Sequence, residues 1–272
     1  MPPSPGIGHS TNLVGVPMAF LTGQDFNDAP VPLHIAGVRE MNPQLFEMLA
    51  QAESLGEAGE AFACYMGAMF GLDPEQRETR PGRSGNRRRF RSSFLNLIKG
   101  WGFDSNGPEG AVLKGWVESR FGIFPTFHKE AIRRISSKAW TTYVEEKMSS
   151  RFHNNAIHVQ LDLLFEFCQW ALGRFAAPGQ AHLTLYRGVN DFEEHQIVER
   201  LDQRTVVMRL NSLVSFTSDR DIAGCFGDTI LTARVPAAKI AFFNRLLSAH
   251  PLKGEGEYLV VGGEYRVTAS YC

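Results

Sequence analysis

Apolar positions recur with a helical period through roughly the first two-thirds of the chain, and with a period of two through the last third. The clearest helical stretch is Ala156 to Phe175, where Ile157, Leu161, Leu164, Phe165, Cys168 and Leu172 share one side and Pro178-Gly179 closes the run. Upstream, Asn42-Pro43 predicts a capped helix start, with Leu45, Phe46, Met48 and Leu49 as its apolar side. Helices are also predicted over Glu57 to Phe70, from Phe94 through Ile98, over Ala111 to Phe121, and from Pro125 to about Met148. Residues 1–40 are rich in Pro and Gly and predict extended segments, partly disordered. Beyond Pro178, alternation and β-branched content predict strands at His182–Arg187, Val206–Thr217, Thr229–Val235, Lys239–Phe243, Tyr258–Val261 and Tyr265–Tyr271, with a helix at Asn190–Gln203. Helices followed by strands indicate α+β, and one domain over 41–272, with a helical part (41–178) and a strand-rich part (180–272).

Composition narrows the function classes. The formal net charge of -1 gives no global field for nucleic acid or an acidic surface. It hides a local cation, because Arg77, Arg80, Arg83, Arg87, Arg88, Arg89 and Arg91 place 7 of the 28 basic residues in one short stretch. That stretch has only Phe90 as an interleaved aromatic, so a solvated loop or a surface steering an acidic protein fits better than nucleic-acid binding. No apolar run approaches the length of a membrane span, and the N-terminus lacks the charged-then-apolar order of a signal peptide. Cys64, Cys168, Cys225 and Cys272 are scattered, and no histidine pair has metal-ligand spacing; a reduced, cytoplasmic protein without a metal is expected. Trp101, Trp116, Trp140 and Trp170 sit in apolar surroundings and read as core.

Candidate chemistry concentrates in the strand-rich third. Leu185-Tyr186-Arg187-Gly188 ends a strand on an arginine. Ser215-Phe216-Thr217-Ser218 places hydroxyls at a second strand end, with Ala223 and Phe226 downstream. Glu255-Gly256-Glu257 opens a third strand; if both glutamates are in it, their side chains leave one face ~6.5–7 Å apart. Singly, each has an ordinary explanation: a surface charge, a helix cap at Ser218 or Asp219, a solvated hairpin tip.

Together, the ordered set Arg187, Ser215-x-Thr217 and Glu255-x-Glu257 resembles the R-S-E group of NAD-dependent mono-ADP-ribosyltransferases. Across its length the chain is similar to the branch of that family that modifies an arginine of the nitrogenase iron protein. The resemblance implies a transferase-type β-sandwich core and NAD as substrate. It implies catalytic roles for Glu257, Glu255 and Ser215, and NAD contacts from Arg187, Ser215, Thr217, Tyr186, Gly188 and Phe226. It further implies the iron protein as acceptor and a PII-type signal protein as regulator. Phe216 departs from the family's S-T-S pattern and leaves Ser218 as an alternative motif serine; the spacing to Ala223 and Phe226 favours Ser215. The chemistry is consistent. Guanidinium pairs with pyrophosphate oxygens, and a carboxylate stabilises the oxocarbenium-like ribose formed as nicotinamide leaves. In that pattern Glu257 faces the ribose cation and Glu255 the incoming guanidinium.

Overall fold

The computed structural model describes residues 12–72, 92–190, 196–248, 252 and 256–271. Glu255 and the arginine run therefore lie outside the described residues.

Short helices α1 (Met18–Thr22), α2 (Gln24–Asp28) and α3 (Val38–Met41) occupy the segment expected to be extended. Tertiary contacts hold them there. Leu21 and Phe26 are fully buried, and the side-chain amides of Gln24 and Asn27 both donate to the Glu264 carbonyl. Next come α4 (Pro43–Ala50), α5 (Leu55–Phe70), α6 (Phe94–Phe103) and α7 (Pro108–Phe121). Their ends follow local chemistry. Ser54 and Ser93 accept from backbone N–H groups of the first turns of α5 and α6, Pro108 occupies the start of α7, and Gly71 and Gly122 end α5 and α7 in the left-handed conformation. Asn42 precedes Pro43 as expected, but its side chain does not cap α4; its amide donates to the Val38 carbonyl.

The predicted helix from Pro125 is replaced by a small hairpin, β1 (Phe127–His128) and β2 (Glu130–Ala131), and a shorter helix α8 (Lys138–Lys147). Pro125 does not start the helix; Ser137 does, accepting from the Trp140 N–H at 3.2 Å. The segment before it is held extended by side chains from elsewhere in the molecule. Helix α9 (Ile157–Ala171), continued by a wide π-type turn through 176, is buried along most of its length. Its Glu166 accepts from the Ile35 N–H, Arg39 and His34, tying the N-terminal segment to the core.

The strands are β3 (His182–Val189), β4 (Ile197–Arg200), β5 (Thr205–Thr217), β6 (Thr229–Pro236), β7 (Ile240–Phe243) and β8 (Glu257–Tyr271), with helix α10 (Arg220–Gly224) between β5 and β6. Residues 197–200, expected to be helical, form an edge strand on β5. Two expected strands at 258–261 and 265–271 are one strand, β8. All pairings are antiparallel, in the order β4-β5-β3-β6-β8-β7 with a further β5–β8 pairing. The long strands β5 and β8 pair on both sides of a register shift between Leu210 and Leu213. Only glycine fits opposite that irregularity: a Cβ on Gly262 would stand 1.7 Å from the Asn211 carbonyl oxygen. The bend folds the sheet over on itself, and α9 packs beside β7, with Phe242 and Phe243 buried beneath it. The architecture is α+β, with helices in the N-terminal part and the antiparallel sheet in the C-terminal part.

Candidate active site

The register of the sheet assembles the three sequence motifs. Thr217, at the end of β5, lies directly opposite Glu257, the first residue of β8, and Tyr186 of β3 lies opposite Thr217 from the other side. Ser215 pairs with Leu259, so it shares a face with Thr217 and Glu257, two residues along. Alternation sends Phe216 to the other face, where it is buried against Tyr265. An aromatic in the middle of the serine motif thus serves the core and leaves the hydroxyl face intact.

Ser215 Oγ donates to Glu257 Oε1 at 2.8 Å. Arg187 Nη1 donates to the Ser215 carbonyl at 2.8 Å, joining β3 to the same residue. Trp101, from the end of α6, donates its indole Nε1–H to Ser215 Oγ at 2.9 Å. Burial raises the Glu257 pKa above the usual carboxylate range, while the Ser215 hydrogen bond and the Arg187 charge oppose that rise. Burial lowers the Arg187 pKa, with Glu257 acting in the opposite sense.

The other predicted positions have different surroundings. Ser218 has left the strand: its backbone N–H donates to the Gly256 carbonyl, and its side chain is exposed. Thr217 Oγ1 accepts from the Asp219 N–H, and Asp219 caps α10. Gly188 lets α10 approach β3, because a Cβ there would stand 2.0 Å from the Ala223 carbonyl oxygen. Phe226 follows α10 and is 68% exposed, and Tyr186 is half-buried.

Arg187 and Ser215 open onto a cleft of about 1220 Å³. That exceeds the roughly 300–1,000 Å³ of small-ligand pockets. One wall is the loop after α6, with Ser105 and Asn106; another is the hairpin segment, with Thr126, Phe127 and Arg133. Lys114, Arg133, Arg187 and Arg209 line it; Arg209 pairs with Glu264, and Glu257 is joined to the cleft through Ser215 rather than lining it. The field suits a polyanionic ligand.

Two residues outside the motifs build these walls. Asn211, at the bend of β5, accepts from the Thr126 N–H at 3.0 Å and donates to the Phe127 carbonyl at 2.8 Å, pinning the hairpin over the cleft. Buried Lys114 of α7 donates to the same carbonyl and to Asn106 Oδ1, and lies 3.4 Å from His128 Nδ1. Burial pulls its pKa down to about 8. His128 in turn meets Glu146 at 2.7 Å, and burial lowers the imidazole pKa. The sequence offered only weak signals for these residues: a turn-rich 104–110 segment beside a lysine on an apolar helix, and an asparagine interrupting a β-branched strand. For Trp101 the signal was an indole N–H in apolar surroundings, which needs a hydrogen-bond partner when buried.

Among the described residues, no group of three or more His, Cys, Asp or Glu side chains could hold a metal ion, and no helix is long and apolar enough to cross a membrane.

Arg187, Ser215 and Glu257 converge at one edge of the antiparallel sheet. The chain belongs to the dinitrogenase reductase ADP-ribosyltransferase family, whose model matches residues 11–269. It is 69% identical over 267 residues to the NAD(+)–dinitrogen-reductase ADP-D-ribosyltransferase of Rhodospirillum rubrum, covering 98% of this chain and 97% of that protein. No solved structure matches the chain.

Proposed function

We propose that this enzyme transfers ADP-ribose from NAD to an arginine of dinitrogenase reductase, the nitrogenase iron protein, and so reversibly inactivates nitrogen fixation. The name of the 69%-identical relative gives NAD and dinitrogen reductase as its substrates. The observation that carries the site assignment is the 2.8 Å hydrogen bond between Ser215 and Glu257, beside Arg187 at the cationic cleft.

In this reading Arg187 meets the pyrophosphate of NAD, with Tyr186, Gly188, Ser215, Thr217 and Phe226 completing the nucleotide contacts. The bond from ribose C1′ to the nicotinamide nitrogen breaks, and nicotinamide leaves with the bonding pair. The positive charge left on C1′ and the ring oxygen faces Glu257, whose carboxylate Ser215 holds in place. A guanidinium nitrogen of the acceptor then bonds to C1′, and Glu255 takes up the proton released as the bond forms. Arginine as acceptor rests on the sequence pattern Glu255-x-Glu257.

The same family resemblance supports a PII-type signal protein as regulator and a cytoplasmic location. It also supports one catalytic domain over 41–272, to which the described helices contribute a cleft wall. The test is incubation of the protein with labelled NAD and purified dinitrogenase reductase, followed by mapping of the label. Label on an arginine of the reductase is the expected result. Nicotinamide release without labelled protein would replace the proposal with NAD glycohydrolase activity.

A further inference from the structure

Trp101 comes from the helical part of the chain, 114 positions before Ser215, yet its indole reaches the serine that holds the proposed catalytic glutamate. The hydrogen-bond inventory makes this contact directional. An indole Nε1–H is a donor only, and a serine hydroxyl has one proton to give. With Trp101 donating to Ser215 Oγ at 2.9 Å, the serine's proton is left for Glu257 Oε1 at 2.8 Å. The Ser215 backbone is held as well, because its carbonyl accepts from Arg187. Without the indole donor, the hydroxyl can rotate to other acceptors and the carboxylate loses its fixed partner. Trp101 is 4% exposed, so its N–H has little access to water in exchange.

We infer that Trp101 is a positioning residue for catalysis: it fixes the direction of the Ser215–Glu257 hydrogen bond and so holds the Glu257 carboxylate in its ionised, oriented form. The inference rests on the assignment of Glu257 as the group facing the ribose cation. It gives the helical part of the chain a part in the chemistry, through the last turn of α6. The charged groups around the contact are Arg187, which acts on Glu257, and Lys114, whose Nζ stands 5.9 Å from the centre of the Trp101 ring.

The test is a double-mutant cycle on ADP-ribose transfer from NAD to dinitrogenase reductase. Trp101→Phe keeps the ring and removes the donor; Ser215→Ala removes the hydroxyl. Each alone should lower kcat, Trp101→Phe by about 3- to 10-fold, the worth of one oriented hydrogen bond, with the KM for NAD changed far less. The acid limb of the Trp101→Phe profile should move to higher pH, because Glu257 loses a partner of its charged form. In the Ser215→Ala background, Trp101→Phe should cost almost nothing more. Additive losses, or an unmoved acid limb, would overturn the inference and give Trp101 a packing role only. Should Trp101→Phe fail to fold, the indole N–H resonance of Trp101 carries the test: it should shift on Ser215→Ala in an otherwise unchanged spectrum, and an unshifted resonance would overturn the inference. Glu257→Gln separates the two levels: retained transfer in that variant removes the Glu257 assignment itself, whatever the cycle shows.

Discussion

Glu257 sits in a conflict between burial, which favours its neutral form, and the Ser215 hydroxyl and Arg187 charge, which favour the carboxylate. Its pKa is raised on balance, and the sign of the pH effect follows. The ionised form is the active one, so activity should fall as pH drops through a value above the ordinary carboxylate range; a pH profile of kcat/KM should show that raised acid limb, and Glu257→Gln should leave no activity to titrate. A group held charged against its surroundings also costs stability. Glu257→Gln should therefore abolish transfer by about 100-fold or more while leaving the thermal midpoint equal or slightly higher, with NAD binding retained; a lowered midpoint together with lost NAD binding would point to a structural role instead. Arg187 has two duties, the proposed pyrophosphate contact and the Ser215 carbonyl. Arg187→Lys keeps a charge but loses the planar fork, so calorimetry should show NAD affinity weakened by about 10-fold or more, the scale of ~1.4 kcal/mol.

At the scale of elements, the cleft depends on pieces that are far apart in sequence. The hairpin β1–β2 is too short to stand alone, and Asn211 from the bend of β5 supplies both its backbone hydrogen bonds to that segment. Asn211→Ala should cost about 1–2 kcal/mol of stability and raise the KM for NAD more than it lowers kcat, measured by denaturant unfolding and by steady-state kinetics. The error of reading a helix from Pro125 has the same origin. Nothing local between 125 and 136 specifies a hairpin, and side chains from α7 and β5 do. Helix α9, by contrast, was fully legible, because its apolar positions recur at the helical period over several turns and it is buried along that face. Strand β8 reads as two pieces in the sequence, 258–261 and 265–271; in the folded sheet Gly262-Gly263 lie at the register shift with β5, and both halves pair with that strand.

The molecule as a whole also buries Lys239 between the N-terminal helices and the sheet. Its Nζ donates to Asn27 Oδ1 at 2.6 Å and lies 4.9 Å from the Tyr265 ring centre and 5.1 Å from that of Phe26. Burial pulls its pKa from 10.5 down to about 7. The unfolded chain then holds more protons than the folded one between those values, so this residue makes stability rise as pH increases from about 7 toward 10.5, by at most ~1.4 kcal/mol per pH unit. Lys239→Met should flatten that part of the stability-against-pH curve, as read by urea unfolding at several pH values; an unchanged slope would mean that Lys239 keeps its normal affinity for protons. The local patterns determined by themselves the α+β order and most of the strands, because periodicity is written in the sequence, and motif order singled out Arg187, Ser215 and Glu257 as candidates. Only the tertiary structure decided which hydroxyl meets the carboxylate, since the β5–β8 register puts Ser215 on the face of Glu257 while Ser218 lies beyond the end of β5. It also brought Trp101 and Asn211 to the cleft, because contacts across more than 80 positions leave no periodic trace in the chain that makes them.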